Sequence, residues 1–311
     1  MENHMKGLEL SKKYWEEIGR PAFEKDCPQV LEKASVGLVG EGSECFGFDD
    51  EISRDHDWGP GFCVWLSDSD MAAFGAKAAE VYAKLPEEFM GFKRLNVSAM
   101  TQGRVGVMSS GSFYARYTGF DRVPANIYEW RCVPESGLAV ATNGEIFQEG
   151  CADFAKVREG LLGFFPSDLR KKKLAMHCAL AAQSGQYNYS RCAHRGEMVA
   201  AFIALSEFIK HVQATVFLLN KRYMPYYKWT HRAMKTLPIL SELSPMIEHL
   251  IGNDEYPVKI ELIEQISAKI IKELKQQHLS GSDSDFLLNH AESIQGRIED
   301  PQLRQMHIMA E

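Results

Sequence analysis

The chain has 311 residues, 45% of them apolar and 25% charged, with a net charge of −7. That composition supports a packed core and excludes disordered, collagen-like and disulfide-scaffold proteins, and the length suits one large domain or two ordinary ones. The mild acidity argues against bulk, sequence-independent DNA binding but leaves room for a local basic patch that holds a phosphate-bearing ligand.

The N-terminal segment is charged and amphipathic and has no apolar core of its own, so no signal peptide is expected. Residues 9–34 read as helical, interrupted at Pro21 and Pro28. SVGLVGEGS (35–43) is a short apolar run stopped by glycines, which predicts a buried strand entering a tight turn. HDWGPGFCVWL (56–66) reads as a second strand with a glycine-proline interruption. A helix is predicted at about 69–84, with Ser67 and Asp68 available as caps and Pro86 closing it. RVGVMSSGSFYARYTGF (104–120) alternates as one strand and its continuation.

From about residue 152 the pattern turns helical, with predicted helices at 152–163, 167–184, 196–220, 228–251 and 257–278. The longest apolar stretch, within 196–220, is interrupted by Glu197, Glu207, Lys210, His211 and Gln213, which predicts a buried helix and no membrane span. SGSDSD (280–285) reads as a loop before a short final helix. The expected division is an α/β domain over 1–150 and a helical bundle over 151–311. Seven cysteines (Cys27, Cys45, Cys63, Cys132, Cys151, Cys178, Cys192) are odd in number and show no CxxC spacing, so a reduced, cytoplasmic setting is expected.

The segment that carries chemistry is GEGSECFGFDDEISRDHDWG (40–59). Gly40 and Gly42 permit a tight turn directly after an apolar strand, and Ser43 stands where a helix can start. Free backbone N–H groups beside a hydroxyl make a phosphate cradle. Further on come Asp55, His56 and Asp57. On a strand, residues two apart face one side, so Asp55 and Asp57 would point at one spot. Two carboxylates are hard oxygen ligands suited to Mg²⁺ carrying substrate phosphate oxygens. Cradle and carboxylate pair together imply metal-dependent phosphoryl or nucleotidyl transfer. Asp49, Asp50 and Glu51 read as members of an acidic surface turn, capping helices or pairing with Arg54.

Gly-Ser, eleven residues, then Asp-x-Asp resembles the signature of the nucleotidyltransferase superfamily, which includes polymerase-beta-like and antibiotic nucleotidyltransferases. The longer string, together with ATNGEIF (141–147), AQSGQYNY (182–189) and LLNKRYMPYYKW (218–229), resembles an uncharacterised bacterial branch of nucleotidyltransferase-like proteins. The resemblance implies an α+β fold: a nucleotidyltransferase-type small mixed sheet with flanking helices, followed by an all-α bundle. It implies that Gly42 and Ser43 hold a nucleoside triphosphate, ATP being the expected donor. Asp55 and Asp57 would bind Mg²⁺ or Mn²⁺, and an acceptor hydroxyl on a small molecule, protein or RNA would receive the nucleoside monophosphate. A third carboxylate belongs on a later strand in that pattern, yet Arg104–Met108 carries no acid and Gly106 fills the slot. Glu129, Glu145 or a group of the substrate are the alternatives for a general base. The competing expectation is a catalytically impaired nucleotide-binding or partner-binding protein.

Lys221, Arg222 and Lys228, interleaved with Tyr223, Tyr226, Tyr227 and Trp229, could contact phosphates and stack on a base. Equally, the cations could terminate the preceding helix while the rings serve the core. Arg170 and His177 fit the loose arginine–histidine pattern of helical ribonuclease toxins, a pairing that also arises by chance in a basic helix.

Overall fold

The structure, a computed structural model, describes residues 5–55, 58–95 and 103–311, with Asp55 described by its backbone alone. By internal packing the chain divides into two compact units, Met1–Gly163 and Phe164–Glu311.

The first unit is α+β. Its strands are β1 (Ser35–Leu38), β2 (Cys63–Leu66), β3 (Glu88–Phe89), β4 (Phe92–Lys93), β5 (Gly106–Ser109) and β6 (Glu145–Gln148). Four of them form a mixed sheet in the order β5-β2-β1-β6. β1 pairs antiparallel with β2 and β6, while β2 and β5 run parallel. Helix Asp68–Ala83 makes the crossover that a parallel pair requires, and Ser67 caps it by accepting the Asp70 N–H at 3.1 Å. β3 and β4 form a separate two-stranded hairpin.

β1 and β2 are buried on both faces, because each side of the sheet carries its own layer of helices. Val36, Val64 and Leu66 join Leu10, Tyr14, Trp15 and Phe23 of the N-terminal helices, with Ala78 and Val81 of the crossover helix. On the other face Trp65 stacks on Phe154 at 4.2 Å between ring centroids and meets Phe113 edge-on at 5.3 Å. Phe154 belongs to helix Ala152–Leu162, so this helix packs on the sheet and the division between the units falls after it. In the sequence the change of character falls at 149–151, where the strand pattern stops. What carries helix 152–162 into the first unit is the burial of Phe154 and Leu161.

Three elements differ from expectation. The second strand is only Cys63–Leu66, since Gly59, Pro60 and Gly61 form a loop before it. SGSFYARYT is a helix, Ser110–Thr118, and does not continue β5. Ser109 caps it through the Ser112 N–H at 3.2 Å, Gly119 ends it in the left-handed region, and Ser110, Phe113, Tyr114 and Thr118 are buried at helical spacing. The predicted helix 228–251 is two, Tyr227–Met234 and Leu243–Gly252, separated around Pro238. Asn220 holds that break: its Oδ1 accepts the Ile239 N–H and its Nδ2 donates to the Ile239 carbonyl, both at 2.9 Å.

The second unit is built of helices. Ser167–Ala181 packs against Met198–Leu219 and Leu287–Gln295, and Tyr256–Gln276 buries Leu262, Ile263, Ile266, Ile270 and Leu274. Helix Met198–Leu219 is long and apolar enough to cross a membrane by composition, yet 56% of its most apolar window is buried inside the fold. It is a core helix of this unit.

Candidate functional site

β1 delivers the chain into the glycine turn. Gly40 and Gly42 take φ of 135° and 119°, a region that L side chains rarely adopt, so the turn depends on glycine at both positions. Ser43 follows with φ −63° and ψ −33° and starts a short 3₁₀ turn, Glu44–Phe46. Asn143 grips Gly40 at both ends of the residue: its Oδ1 accepts the Gly40 N–H at 3.0 Å and its Nδ2 donates to the Gly40 carbonyl at 2.9 Å. Arg158 Nη2 in turn donates to the carbonyls of Thr142 and Asn143, at 3.0 and 2.9 Å. The Gly144 N–H reaches the Cys45 carbonyl at 2.9 Å. ATNGEIF, which in sequence carries part of the resemblance and the candidate base Glu145, is in the fold the brace of the glycine turn.

Behind the turn lies a buried ion pair. Arg104 and Glu44 meet through Nη2 and Oε1, with 4% and 3% of their side chains exposed. A Cβ at Gly42 would overlap the Arg104 guanidinium, so the second glycine also makes room for this pair. Glu41 adds an outer pair with Arg116 at 3.1 Å. Burial raises the Cys45 thiol well above its ordinary range and pushes Cys63 up to about 12, so neither is a thiolate nucleophile near neutral pH.

Gly42 and Ser43 are half-buried. The peptide N–H groups of Gly42 and Ser43, and the Ser43 hydroxyl, make no hydrogen bond to any described residue. Two free donors and a hydroxyl on a braced turn are the chemistry a phosphate oxygen needs.

Asp55 ends a 3₁₀ turn, Ile52–Asp55, so the expected strand geometry does not hold at that residue. Its side chain, with His56 and Asp57, lies outside the described residues. Among the described residues no cluster of three His, Cys, Asp or Glu side chains could hold a metal ion. Asp49 is not a surface acid: with 3% of its side chain exposed, it accepts the Gly7 N–H at 2.7 Å and the Trp58 Nε1–H at 3.1 Å, fixing the first helix. Asp50 does cap a turn, accepting the Ser53 N–H at 3.0 Å.

Both acids considered as bases are engaged elsewhere. Glu129 takes two bonds from Arg122, at 2.7 and 3.1 Å, and the Ala125 N–H at 2.6 Å, which together hold its carboxyl down at about 2. Glu145 receives Lys12 Nζ at 2.5 Å. Gly106 opens β5 opposite Cys63 with φ 110°.

In the second unit Lys221 has φ 50° and the N–H groups of Lys221 and Arg222 bond back to Leu218 and Phe217, at 3.2 and 3.0 Å, so they terminate helix Met198–Leu219. Their side chains remain exposed. Lys228 Nζ lies 4.8 Å from the Trp229 ring centroid, and Tyr226 and Tyr227 pack on one another while staying exposed. Tyr223, by contrast, packs between Phe164 and Phe165. The segment therefore divides between core and a solvent-facing basic, aromatic surface. Arg170 caps the end of helix Met198–Leu219 through the Leu218 carbonyl at 2.9 Å, and His177 is buried against His211, so neither stands ready for RNA cleavage.

Residues 130–230 match the sequence profile of a family described as a domain of unknown function, DUF4037. That stretch contains Asn143, Gly144, Arg158 and the basic, aromatic segment. A crystal structure of a nucleotidyltransferase-like protein from Exiguobacterium sibiricum aligns with a TM-score of 0.34 and 13% identity, over 86% of this chain and 79% of that one. No curated protein matches the chain.

Proposed function

We propose that the glycine turn binds the phosphates of a nucleoside triphosphate and that the chain acts as a Mg²⁺-dependent nucleotidyltransferase, moving AMP from ATP to an acceptor hydroxyl. The observation that carries this reading is the pair of N–H groups at Gly42 and Ser43 that, with the Ser43 hydroxyl, bond to no described residue, on a turn braced by Asn143. Asp55 and Asp57 follow at the spacing of the superfamily motif. They would hold the metal, which when bound neutralises charge on the transferred phosphoryl group. The turn's N–H groups orient the triphosphate. All seven cysteines are free, which suits a cytoplasmic setting.

A second reading is favoured by the engagement of the acids. With Glu129 held near 2 by Arg122, Glu145 tied to Lys12 and a glycine at 106, none of these three positions offers an unengaged carboxylate for the acceptor's proton. Loss of a general base costs about 10²–10⁴-fold in rate, so the chain would bind nucleotide and turn it over slowly or not at all.

A thermal-shift titration of the full chain with ATP, GTP, CTP and UTP, with and without Mg²⁺, tests the shared part of both readings. A Mg²⁺-dependent rise with one nucleotide, absent in Asp55→Asn/Asp57→Asn, is the expected result. At about a hundred times the dissociation constant, binding stabilises the fold by about 2.7 kcal/mol. No shift with any nucleotide in the folded protein would sink both. Pyrophosphate release in an acceptor screen then separates enzyme from binder.

A further inference from the structure

Helix Ser167–Ala181 runs on through a π-helical stretch, Ala182–Tyr189, before regaining α geometry at Ser190–His194. Such stretches are rare, and they recur at functional sites. This one crosses helix Met198–Leu219 closely: a Cβ at Gly185 would overlap the Phe208 ring. Beside the crossing, between the π-helical stretch and helix Met198–Leu219, lies a cavity of about 360 Å³. That is enough room for a small organic ligand. Leu180, Ala204 and Ile203 give it apolar walls, and Asn188, Glu207 and His211 give it polar ones.

A chain of hydrogen bonds sets its charge. His177 Nδ1 and His211 Nδ1 stand 2.8 Å apart, so one donates and the other accepts. His211 Nε2 lies 3.3 Å from Glu207 Oε2, and a carboxylate only accepts, so that nitrogen carries hydrogen. In a neutral His211 the Nδ1 is then bare, and the shared hydrogen belongs to His177. Burial, with His211, Lys173 and Lys210, pushes His177 well below the ordinary histidine range. Burial and Lys210 lower His211 too, against the opposing pull of Glu207. The pair is neutral at pH 7, so neither ring places a positive charge beside the Glu207 carboxyl. Lys210, on the same helix, approaches Glu207 at 3.3 Å, but 61% of its side chain is exposed, and such pairs in water are weak.

A half-exposed carboxylate over apolar walls, with a neutral imidazole and a solvent-facing lysine as its neighbours, is complementary to a positive charge on an apolar body. We propose that this cavity is a binding site for a small organic cation, a primary or secondary ammonium carried on a compact apolar group. The ammonium meets Glu207 and Asn188, and the body lies against Leu180 and Ile203. Val199, one turn before Ile203 and 78% exposed, extends the apolar surface beyond the cavity. The site lies within the helical unit and stands or falls independently of the nucleotide reading.

The test uses the full chain with 2-phenylethylammonium as probe and 2-phenylethanol as its uncharged counterpart, read by the ring ¹³Cε1 shift of His211 in histidine-labelled protein. The expected result is a saturable shift with the amine and affinity about tenfold or more weaker for the alcohol, as a charge-assisted bond requires. Glu207→Gln should lose a similar factor, and Ala204→Trp, which fills the space, should abolish the shift while both variants melt cooperatively. No saturable shift with the amine, equal affinity for amine and alcohol, or undiminished binding in Glu207→Gln would each overturn the proposal.

Discussion

Asn143 holds Gly40 by both its N–H and its carbonyl, at 3.0 and 2.9 Å, across 103 residues of sequence. One side-chain amide thus sets the plane of the turn that follows β1, and Arg158 fixes the backbone from which that amide projects. The shape of the proposed phosphate cradle depends on this long-range contact as much as on its own glycines.

Replacing Asn143 with Ala leaves two backbone groups of Gly40 without protein partners. Each buried group so orphaned costs about 1–3 kcal/mol, and part-burial here puts the expected loss toward the lower end. Chemical denaturation should show that loss, and calorimetric titration should show weaker ATP binding in the folded variant. Unchanged stability with unchanged affinity would mean the clamp has no influence on the turn.

Gly42 and Gly47 differ most in crowding. Both have positive φ, 119° and 70°, but a Cβ at 47 meets open space while one at 42 meets Arg104. Gly47→Ala should cost about 1–2 kcal/mol, the backbone term alone. Gly42→Ala should cost more on both counts, since φ 119° lies beyond the left-handed α well and the new Cβ adds about 1–3 kcal/mol of overpacking. Equal urea midpoints for the two variants would contradict the packing of Arg104 behind the turn.

The Glu44–Arg104 pair gives a third expectation. Removing only the cation, in Arg104→Met, takes the charged partner from a buried carboxylate and should destabilise by about 3–5 kcal/mol. Replacing both, in Glu44→Leu/Arg104→Met, should recover much of it, because well-packed apolar residues often match a buried pair. A double variant as unstable as the single one would show that the pair does more than neutralise itself.

Acid should loosen the helical unit through His177 and His211. Burial lowers both rings in the folded state, while unfolded histidines take protons near the ordinary 6.5. Below that value the unfolded state binds more protons than the folded one, so stability is full above about 6.5 and falls as the pH drops toward the folded values. Melting temperatures should decline from pH 7.5 to pH 5.5, and His177→Leu should decline less steeply. A steeper decline in the variant would contradict the assignment.

The local features of this fold were legible where neighbours in sequence decide the outcome. The run SVGL followed by glycines did become β1 and its turn, and Ser67 did cap the crossover helix. SGSFYARYT misled because its aromatic spacing suits a strand as well as a helix, and the choice falls to Ser109 and Gly119 at its ends. The break in 228–251 was signalled by Pro238, but the partner that stabilises it, Asn220, sits a whole segment away. At the candidate site the glycines and Ser43 could be read directly. Arg104, Glu44 and Asn143 could not, because nothing near them in the chain tells a buried partner from a surface charge or a loop amide.

The most direct test of the cradle is the backbone amide resonances of Gly42 and Ser43 in deuterated, ¹⁵N-labelled protein titrated with Mg·ATP. If these N–H groups bind phosphate, both should shift saturably with a common dissociation constant, as hydrogen bonds to a charged acceptor form. If ATP binds and shifts other amides while those of Gly42 and Ser43 stay in place, the phosphate site lies elsewhere and the central claim fails.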